Sequence, residues 1–306
     1  MDEGVPPVPG PKLYPFKDGD GPLKIEWLRH IERGTHARIW AVLINGKLYA
    51  LKIFNFRKRY FIREEWDVKL SKEEETAYFD PFSCECRAYG RIREEGLEQY
   101  VAKCYGYIKL ARSDFDPLIE SPRKWEARFG YLERHKGRPF RALVKEFVKT
   151  DPDRYPPLPN KHGLENVRRA NKCFRDSKDA RHLIRSLKRI QKSGILIHDI
   201  NAGNVMNGRL IDFSQAWTVP HPVLVKEKME DDEIMEIYDG GYSDACDVDK
   251  LIETWNNQHL DRNRADRLKG NFGTQWRWGR TTCGWYIRPE LYKWHAEGVP
   301  VEQGKG

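Results

Sequence analysis

What the sequence lacks excludes several classes of protein. No apolar run approaches the ~18 residues of a membrane-spanning helix, so we expect no membrane span. Residues 1–16 have neither the basic start nor the apolar core of a secretion signal, and their prolines and glycines predict a flexible lead-in. The six cysteines include no C-x-x-C pair, which favours reduced structural thiols in a cytoplasmic protein.

What is present is a highly charged chain with a basic excess. Its 306 residues are enough for two lobes with a sizeable core, and 33% of them are charged. The formal net charge of +8 favours a polyanionic partner such as RNA or a nucleotide. A basic surface without such a partner is the alternative.

The first part of the chain predicts a β-meander. Apolar alternation marks strands at Ile25–Ile31, Arg38–Ile44 and Lys47–Phe54, and Asn45-Gly46 is a strong hairpin-turn signal. Strands are also indicated at Val101–Leu110 and Ala142–Val148. These segments predict a small antiparallel sheet.

A lysine and a glutamate are predicted to meet beside this sheet. Lys52 lies in the apolar third strand, where a buried ammonium group is costly unless an anion neutralises it. Glu85, Ala88, Tyr89 and Ile92 follow at helical spacing, which places Glu85 on the inward face of a helix. We therefore expect Glu85 to neutralise Lys52, a solvated glutamate being the alternative.

The stretch 194–217 carries the most specific pattern of polar residues. Asp199 follows an apolar run, Asn204 comes five residues later, and Asp212 follows the next apolar run. Carboxylate and amide oxygens at strand exits suit a divalent cation and a phosphate. The pattern resembles the catalytic and metal-binding loops of protein kinases, in which Asp199 would be the base, Asn204 and Asp212 would hold Mg²⁺, and Lys52 would hold ATP phosphates.

Three departures from protein kinases favour a changed role for such a fold. Only Gly34 is present where a phosphate-covering loop usually has three glycines. Ser214 stands where a kinase has a hinge glycine, and no Ala-Pro-Glu-like motif follows. A kinase fold with a different function is therefore a serious alternative.

Longer phrases carry a resemblance to a known family. FDPFSCECRAYGRI, LVKEFV, HDINAGNV and RLIDFSQAWTVPH resemble a fungal kinase-like family named after a kinetochore subunit, over roughly residues 25–295. The resemblance implies a bilobal, protein-kinase-like α+β fold. We assign a flexible tail to residues 1–22, a small lobe with an antiparallel sheet and one main helix to 23–148, and a mostly helical lobe to 149–306.

Within that family the chain also resembles the fungal arginine-containing cyclodipeptide synthases. This resemblance implies secondary-metabolite biosynthesis by an enzyme that joins arginyl-tRNA and a second aminoacyl-tRNA into a diketopiperazine, without a cofactor. The implied catalytic carboxylates are Asp231, Asp232, Glu233, Glu236 and Asp199. The tRNA would bind a basic helix face formed by Arg181, Arg185, Lys188, Arg189 and Lys192.

Two other functions remain open at this point. One is a phosphotransferase that uses ATP and Mg²⁺, and the other is a non-catalytic scaffold in a chromosomal complex. The segment 123–141 adds a possible RNA contact because aromatic side chains alternate there with basic ones. The aromatic residues are Trp125, Phe129, Tyr131 and Phe140. A surface insertion with its own small core is the alternative for this segment.

Overall fold

The chain divides into two compact units. A computed structural model describes residues 8–19, 21–56, 69–114, 129–130, 135–149, 173–175, 177–224 and 243–255. One unit comprises Met1–Gly90 and Lys103–Val148, and the other comprises Arg91–Ala102 and Lys149–Gly306. The architecture is mixed α/β, as the sequence predicts.

A five-stranded antiparallel sheet forms the centre of the first unit. Its strands are β1 (Ile25–Arg33), β2 (Ala37–Ile44), β3 (Lys47–Phe54), β4 (Cys104–Leu110) and β5 (Phe140–Glu146). They lie in the order β1-β2-β3-β5-β4, so β5 is inserted between β3 and β4. The three strands of the predicted meander are confirmed, and Asn45 and Gly46 both have positive φ angles, as a tight hairpin requires.

Two consecutive helices follow β3 along the chain. Helix α1 (Lys72–Phe79) begins with a capping box, in which Ser71 and Glu74 each accept a hydrogen bond from the other's backbone nitrogen. Asp80 ends α1, and α2 (Pro81–Glu94) follows directly. The Asp80 carboxylate accepts the Ser83 amide hydrogen and a bidentate pair from Arg141 on β5, which ties the helix junction to the sheet.

The core of the first unit contains aromatic residues that the sequence pattern placed in an RNA-binding segment. Phe129 and Phe140 are fully buried, and their rings lie edge to face at a centroid distance of 5.6 Å. Both pack in the cluster that includes Leu51 and Val144. Stacking of RNA bases on these two rings is therefore excluded, because burial against the sheet leaves no ring face for a base.

Residues 8–16 form an N-terminal strap across α2 and β4. Leu13 is 1% exposed, and the Phe16 amide donates to the Tyr107 carbonyl at 2.8 Å. A Cβ atom at Gly90 would lie 2.7 Å from the Lys12 nitrogen, so only glycine permits this approach of the strap to α2. The prolines of the predicted flexible lead-in thus belong, within residues 8–16, to an ordered and partly buried segment.

Among its described residues, the second unit contains one long amphipathic helix, two short strand pairs and a further helical stretch. Helix α3 (Ser177–Lys192) buries an apolar stripe formed by Ala180, Leu183, Ile184, Leu187 and Ile190. The short strands are β6 (Ile195–Leu196), β7 (Val205–Met206), β8 (Arg209–Leu210) and β9 (Trp217–Thr218). β6 pairs with β9, β7 pairs with β8, and residues 243–255 are helical. In the described ranges no helix has the length and apolarity to cross a membrane.

Candidate functional site

A buried cluster of three charged residues lies between α2 and the sheet. The Lys52 Nζ atom on β3 is 2.6 Å from Glu85 Oε2, so the predicted pair is formed. The Lys145 Nζ atom on β5 is 2.5 Å from the other carboxylate oxygen, Glu85 Oε1. Lys52 pairs in register with Leu143, two residues from Lys145, so both lysines lie on the sheet face that carries α2.

The cluster is enclosed by protein. Lys52, Glu85 and Lys145 are 3%, 0% and 5% exposed. The Lys145 ammonium group also lies 4.8 Å from the centre of the Tyr89 ring, and the Lys52 ammonium group lies 5.3 Å from the Phe54 ring. These ring faces further stabilise the two cations. One carboxylate is therefore shared by two buried ammonium groups.

The Asp199 carboxylate in the second unit is held by three side-chain amides. The Asn201 Nδ2 group donates to Asp199 Oδ1 at 2.6 Å. The Asn204 Nδ2 group donates to Oδ2 at 2.9 Å, and the Gln215 Nε2 group donates to the same oxygen at 3.0 Å. Asn204 also donates to the Asp199 carbonyl, which closes the loop on itself. The carboxylate is thus oriented by neutral donors from its own chain.

Asn204 and Asp212 flank the β7–β8 hairpin. The Ile211 amide donates to the Asn204 carbonyl, and the Ser214 amide donates to Asp212 Oδ1. In the part of the chain that the structure describes, no group of three or more His, Cys, Asp or Glu side chains is placed to hold a metal ion. A Mg²⁺ ion at this hairpin would therefore need the Asn204 amide oxygen, a single carboxylate from Asp212 and further oxygens from a bound phosphate.

A buried aspartate positions the chain that enters the Asp199 loop. Asp244 accepts the backbone N–H groups of Ile197 and His198, both at 2.8 Å, and a further hydrogen bond from the Gln191 side chain. His198 has a φ of 62°, a left-handed conformation that these bonds help to maintain. Burial raises the pKa of Asp244 to about 7, and its three hydrogen bonds oppose a larger rise.

The structure places the predicted tRNA-binding residues on one side of α3. Arg181, Arg185, Arg189 and Lys192 are exposed, and Lys188 is half-buried. The predicted catalytic carboxylates Asp231, Asp232, Glu233 and Glu236 lie outside the described residues. The role of the basic residues in tRNA binding and the role of the carboxylates in catalysis therefore both stay predictions.

The cysteines agree with the expectation of structural thiols. Cys84, Cys86, Cys104 and Cys173 are buried. Burial raises the pKa of the Cys84 and Cys86 thiols, so both are held in the unreactive protonated form.

A comparison with protein families identifies the group to which this sequence is related. The family model described as kinetochore Sim4 complex subunit FTA2 matches residues 2–217. The chain belongs to this family. The FTA2 match includes Lys52, Glu85, Lys145 and the Asp199 loop, whereas the acidic run 230–236 and Asp244 lie beyond it. No curated protein matches the chain, and the narrower resemblance to cyclodipeptide synthases has no support from this comparison.

Several residues of these FTA2-family clusters are absent from the sequence-based predictions. Lys145 follows the apolar residues Leu143 and Val144, so the argument that demanded an anion for Lys52 applies to it equally. Asn201 and Gln215 lie 2 and 16 residues from Asp199, and no distinctive motif marks either of them as its partner. Asp244 lies 47 residues beyond Ile197, and only the tertiary fold brings the two together.

Proposed function

We propose that this FTA2-family chain is a non-catalytic subunit of a kinetochore-type protein complex, built on a kinase-like α/β fold. The observation that carries the proposal is the engagement of the Asp199 carboxylate by three side-chain amides of the same chain. The family match points the same way, because the family is described as a complex subunit. The partners would be other protein subunits of that complex, and the protein would act in the nucleus.

The kinase-like part of the proposal is supported by the element on which each polar residue lies. Lys52 is on the third strand of the antiparallel sheet, and Glu85 is on the main helix that follows. Asp199 and Asn204 follow β6, and Asp212 follows β8. A protein kinase has a strand lysine, a helix glutamate, a catalytic-loop Asp and Asn, and a metal-binding Asp in this order.

The non-catalytic part of the proposal is supported by what these side chains already bind. A general base must lie within hydrogen-bond reach of the substrate proton. Asp199 Oδ2 accepts two intramolecular hydrogen bonds and Oδ1 accepts a short one, so its lone pairs are largely used within the protein. Glu85 likewise binds Lys145 at 2.5 Å as well as Lys52 at 2.6 Å, which favours a role in holding α2 on the sheet.

The ATP- and Mg²⁺-dependent phosphotransferase is the second candidate. The Lys52–Glu85 distance of 2.6 Å favours it, because kinases require this ion pair for activity. The cyclodipeptide synthase is a third proposal, and its support is the sequence resemblance alone. Both enzymes depend on catalytic side chains, and a scaffold does not. Variants of these side chains therefore distinguish the two enzymes from the preferred function.

The experiment compares wild-type protein with Asp199→Asn in the native cells. The control is Asp247→Asn. Asp247 is a carboxylate of the second unit that forms an ion pair with the exposed side chain of Lys250. Tagged proteins are purified after cross-linking, their partners are quantified by mass spectrometry, and their position on chromosomes is imaged. We expect all three proteins to recover the same kinetochore subunits at similar levels.

Two results would overturn the scaffold in favour of an enzyme. Purified wild-type protein that hydrolyses or transfers phosphate from Mg²⁺-ATP, with loss of activity in Asp199→Asn and in Lys52→Ala, would establish the phosphotransferase. A new arginine-containing diketopiperazine in a heterologous host that expresses this chain alone would establish the synthase. Failure to associate with any kinetochore subunit would contradict the proposal directly.

A further inference from the structure

We propose that the solvent-facing side of α3 docks on the phosphate backbone of double-stranded DNA. This basic face is defined by Lys178, Arg181, Arg185, Lys188, Arg189 and Lys192. Five of the six side chains are exposed, and Lys188 is half-buried. The helix is folded and held by its opposite side, so the basic face is presented on a rigid element.

The spacing of the cations suits a linear array of phosphates. The six residues recur at intervals of three or four along α3, apart from the adjacent pair Lys188-Arg189. Such neighbours are about 5–6 Å apart on one helix face. The array from Lys178 to Lys192 is about 21 Å long, at about 1.5 Å per residue. Duplex DNA presents one charge per about 1.7 Å of axis, so about twelve phosphates lie along that length.

The acidic residue of α3 does not neutralise this face. Asp179 is the only Asp or Glu in the helix, and it is buried. The Arg175 guanidinium binds both Asp179 oxygens at 2.9 Å. Burial raises the pKa of Asp179, but the hydrogen bonds from Arg175 outweigh burial, and the net pKa lies below the usual value. Its negative charge is thus matched locally by Arg175.

A second element adds a cation near His182, at the margin of the basic face. His182 is half-buried on α3 and stacks on Tyr100 at a centroid distance of 5.9 Å. Burial lowers the pKa of His182, and the charges of Arg185 and Arg209 lower it further. Arg209 lies on β8, so a second element adds a cation beside the helix.

The composition of α3 favours a duplex over a single strand. Proteins that bind single strands stack the bases on aromatic side chains, and α3 contains no Phe, Tyr or Trp. Lysine and arginine on a straight helix neutralise a duplex backbone without reading its sequence. The choice of DNA rather than RNA rests on the proposed kinetochore function, because kinetochore complexes assemble on chromosomes.

The test measures binding of the full-length protein to a random duplex DNA by fluorescence anisotropy. The variant Arg181→Gln, Arg185→Gln, Arg189→Gln removes three cations from the basic face, and glutamine is as good a helix former as arginine. The control variant Lys24→Gln, Arg33→Gln, Lys109→Gln removes three exposed cations from the first unit. Both variants have a formal net charge of +5 (8 − 3), so bulk charge is matched.

Six phosphate contacts predict a steep salt dependence for the wild-type protein. Raising KCl from about 50 to about 200 mM should weaken its binding about 10³-fold, and that of the basic-face variant only about 40-fold. At the lower salt concentration the basic-face variant should bind at least about tenfold more weakly than the wild type. The control variant should keep the wild-type affinity and salt dependence.

Three outcomes would overturn this proposal. The first is absence of wild-type binding to duplex DNA at low salt. The second is equal weakening of both variants, which would show a general effect of net charge. The third is preferential binding of duplex RNA, tRNA or an acidic peptide in competition with the DNA, which would assign the basic face to another partner. Kinetochore association that persists in the basic-face variant would leave the proposed function intact, so failure of the DNA proposal can be distinguished from failure of the proposed function.

Discussion

Replacing either buried lysine of the Lys52–Glu85–Lys145 cluster should cost far less stability than replacing both. Glu85 is 0% exposed and forms a separate ion pair with each lysine, at 2.6 Å and 2.5 Å. Lys52→Met or Lys145→Met therefore leaves one complete ion pair, and the double variant leaves a buried carboxylate without either lysine. We therefore expect the stability losses of these two substitutions, which lie on neighbouring strands, to be strongly non-additive.

The expected costs follow from the interactions that each variant removes. A single Lys→Met change loses one hydrogen bond to a charged group, worth about 1.5–3 kcal/mol, and regains some apolar burial. We expect a net loss of about 1–2 kcal/mol for each single variant. The double variant isolates the buried carboxylate of Glu85, and breaking a buried pair costs about 3–5 kcal/mol. Its total loss should be about 5 kcal/mol, above the sum of about 2–4 kcal/mol for the two single losses.

The measurement is urea unfolding followed by near-ultraviolet circular dichroism. Trp27 and Trp40 lie edge to face at 5.9 Å beside the sheet of the first unit, so their signal reports its packing. Lys109→Met, an exposed change on β4, is the matched control and should be close to neutral. If either single variant is as unstable as the double variant, or if the two single losses simply add, the shared-carboxylate explanation is wrong.

Two further predictions concern Asp244, which holds the backbone of Ile197 and His198, and the N-terminal strap. Because the pKa of Asp244 is raised to about 7, the folded protein holds a proton that an unfolded aspartate releases near pH 4. This contribution to stability is complete below about pH 4 and is lost as the pH rises through 7. The free energy of unfolding should therefore fall by about 2 kcal/mol between about pH 5.5 and pH 8. Asp244→Asn should remove this part of the pH dependence. An unchanged pH dependence in the variant would contradict the raised pKa of Asp244. Gly90→Val should lower stability by about 2 kcal/mol or more, since its Cβ would lie 2.7 Å from the Lys12 nitrogen, whereas Gly21→Ala, with open space around it, should be neutral. Thermal unfolding of both glycine variants checks this, and an equal effect would show that the strap does not contact α2 in solution.

Sequence patterns predicted the local elements and one long-range contact of this fold. The apolar alternation of β1–β3 and the helical spacing around Glu85 are visible in short stretches of sequence. Together they predict the Lys52–Glu85 pair. The insertion of β5 between β3 and β4 depends on the path of the whole chain, which no short stretch of sequence shows. Lys145 reaches Glu85 because of this insertion, which is why the second ion pair was missing from the prediction.

The other differences have similar physical causes. Proline and glycine in residues 8–16 indicate a flexible segment when only propensity is considered, whereas burial of Leu13 and Phe16 against the folded sheet overrides that preference. The Asp199 loop was located from its apolar flanks. Its side-chain partner Gln215 lies 16 residues away, and nothing in the sequence distinguishes that glutamine from a solvated one.

The strap also determines the order in which the first unit can be completed during synthesis. Residues 8–16 leave the ribosome before their partners Gly90 and Tyr107, which are made about 80 to 90 residues later, a delay on the order of ten seconds at usual elongation rates. β3 must wait about as long for β5, its neighbour in the finished sheet. During this interval the nascent chain carries the apolar side chains of Leu13 and Phe16 uncovered. The first unit therefore cannot cover this apolar surface completely until β5, its last strand, has emerged.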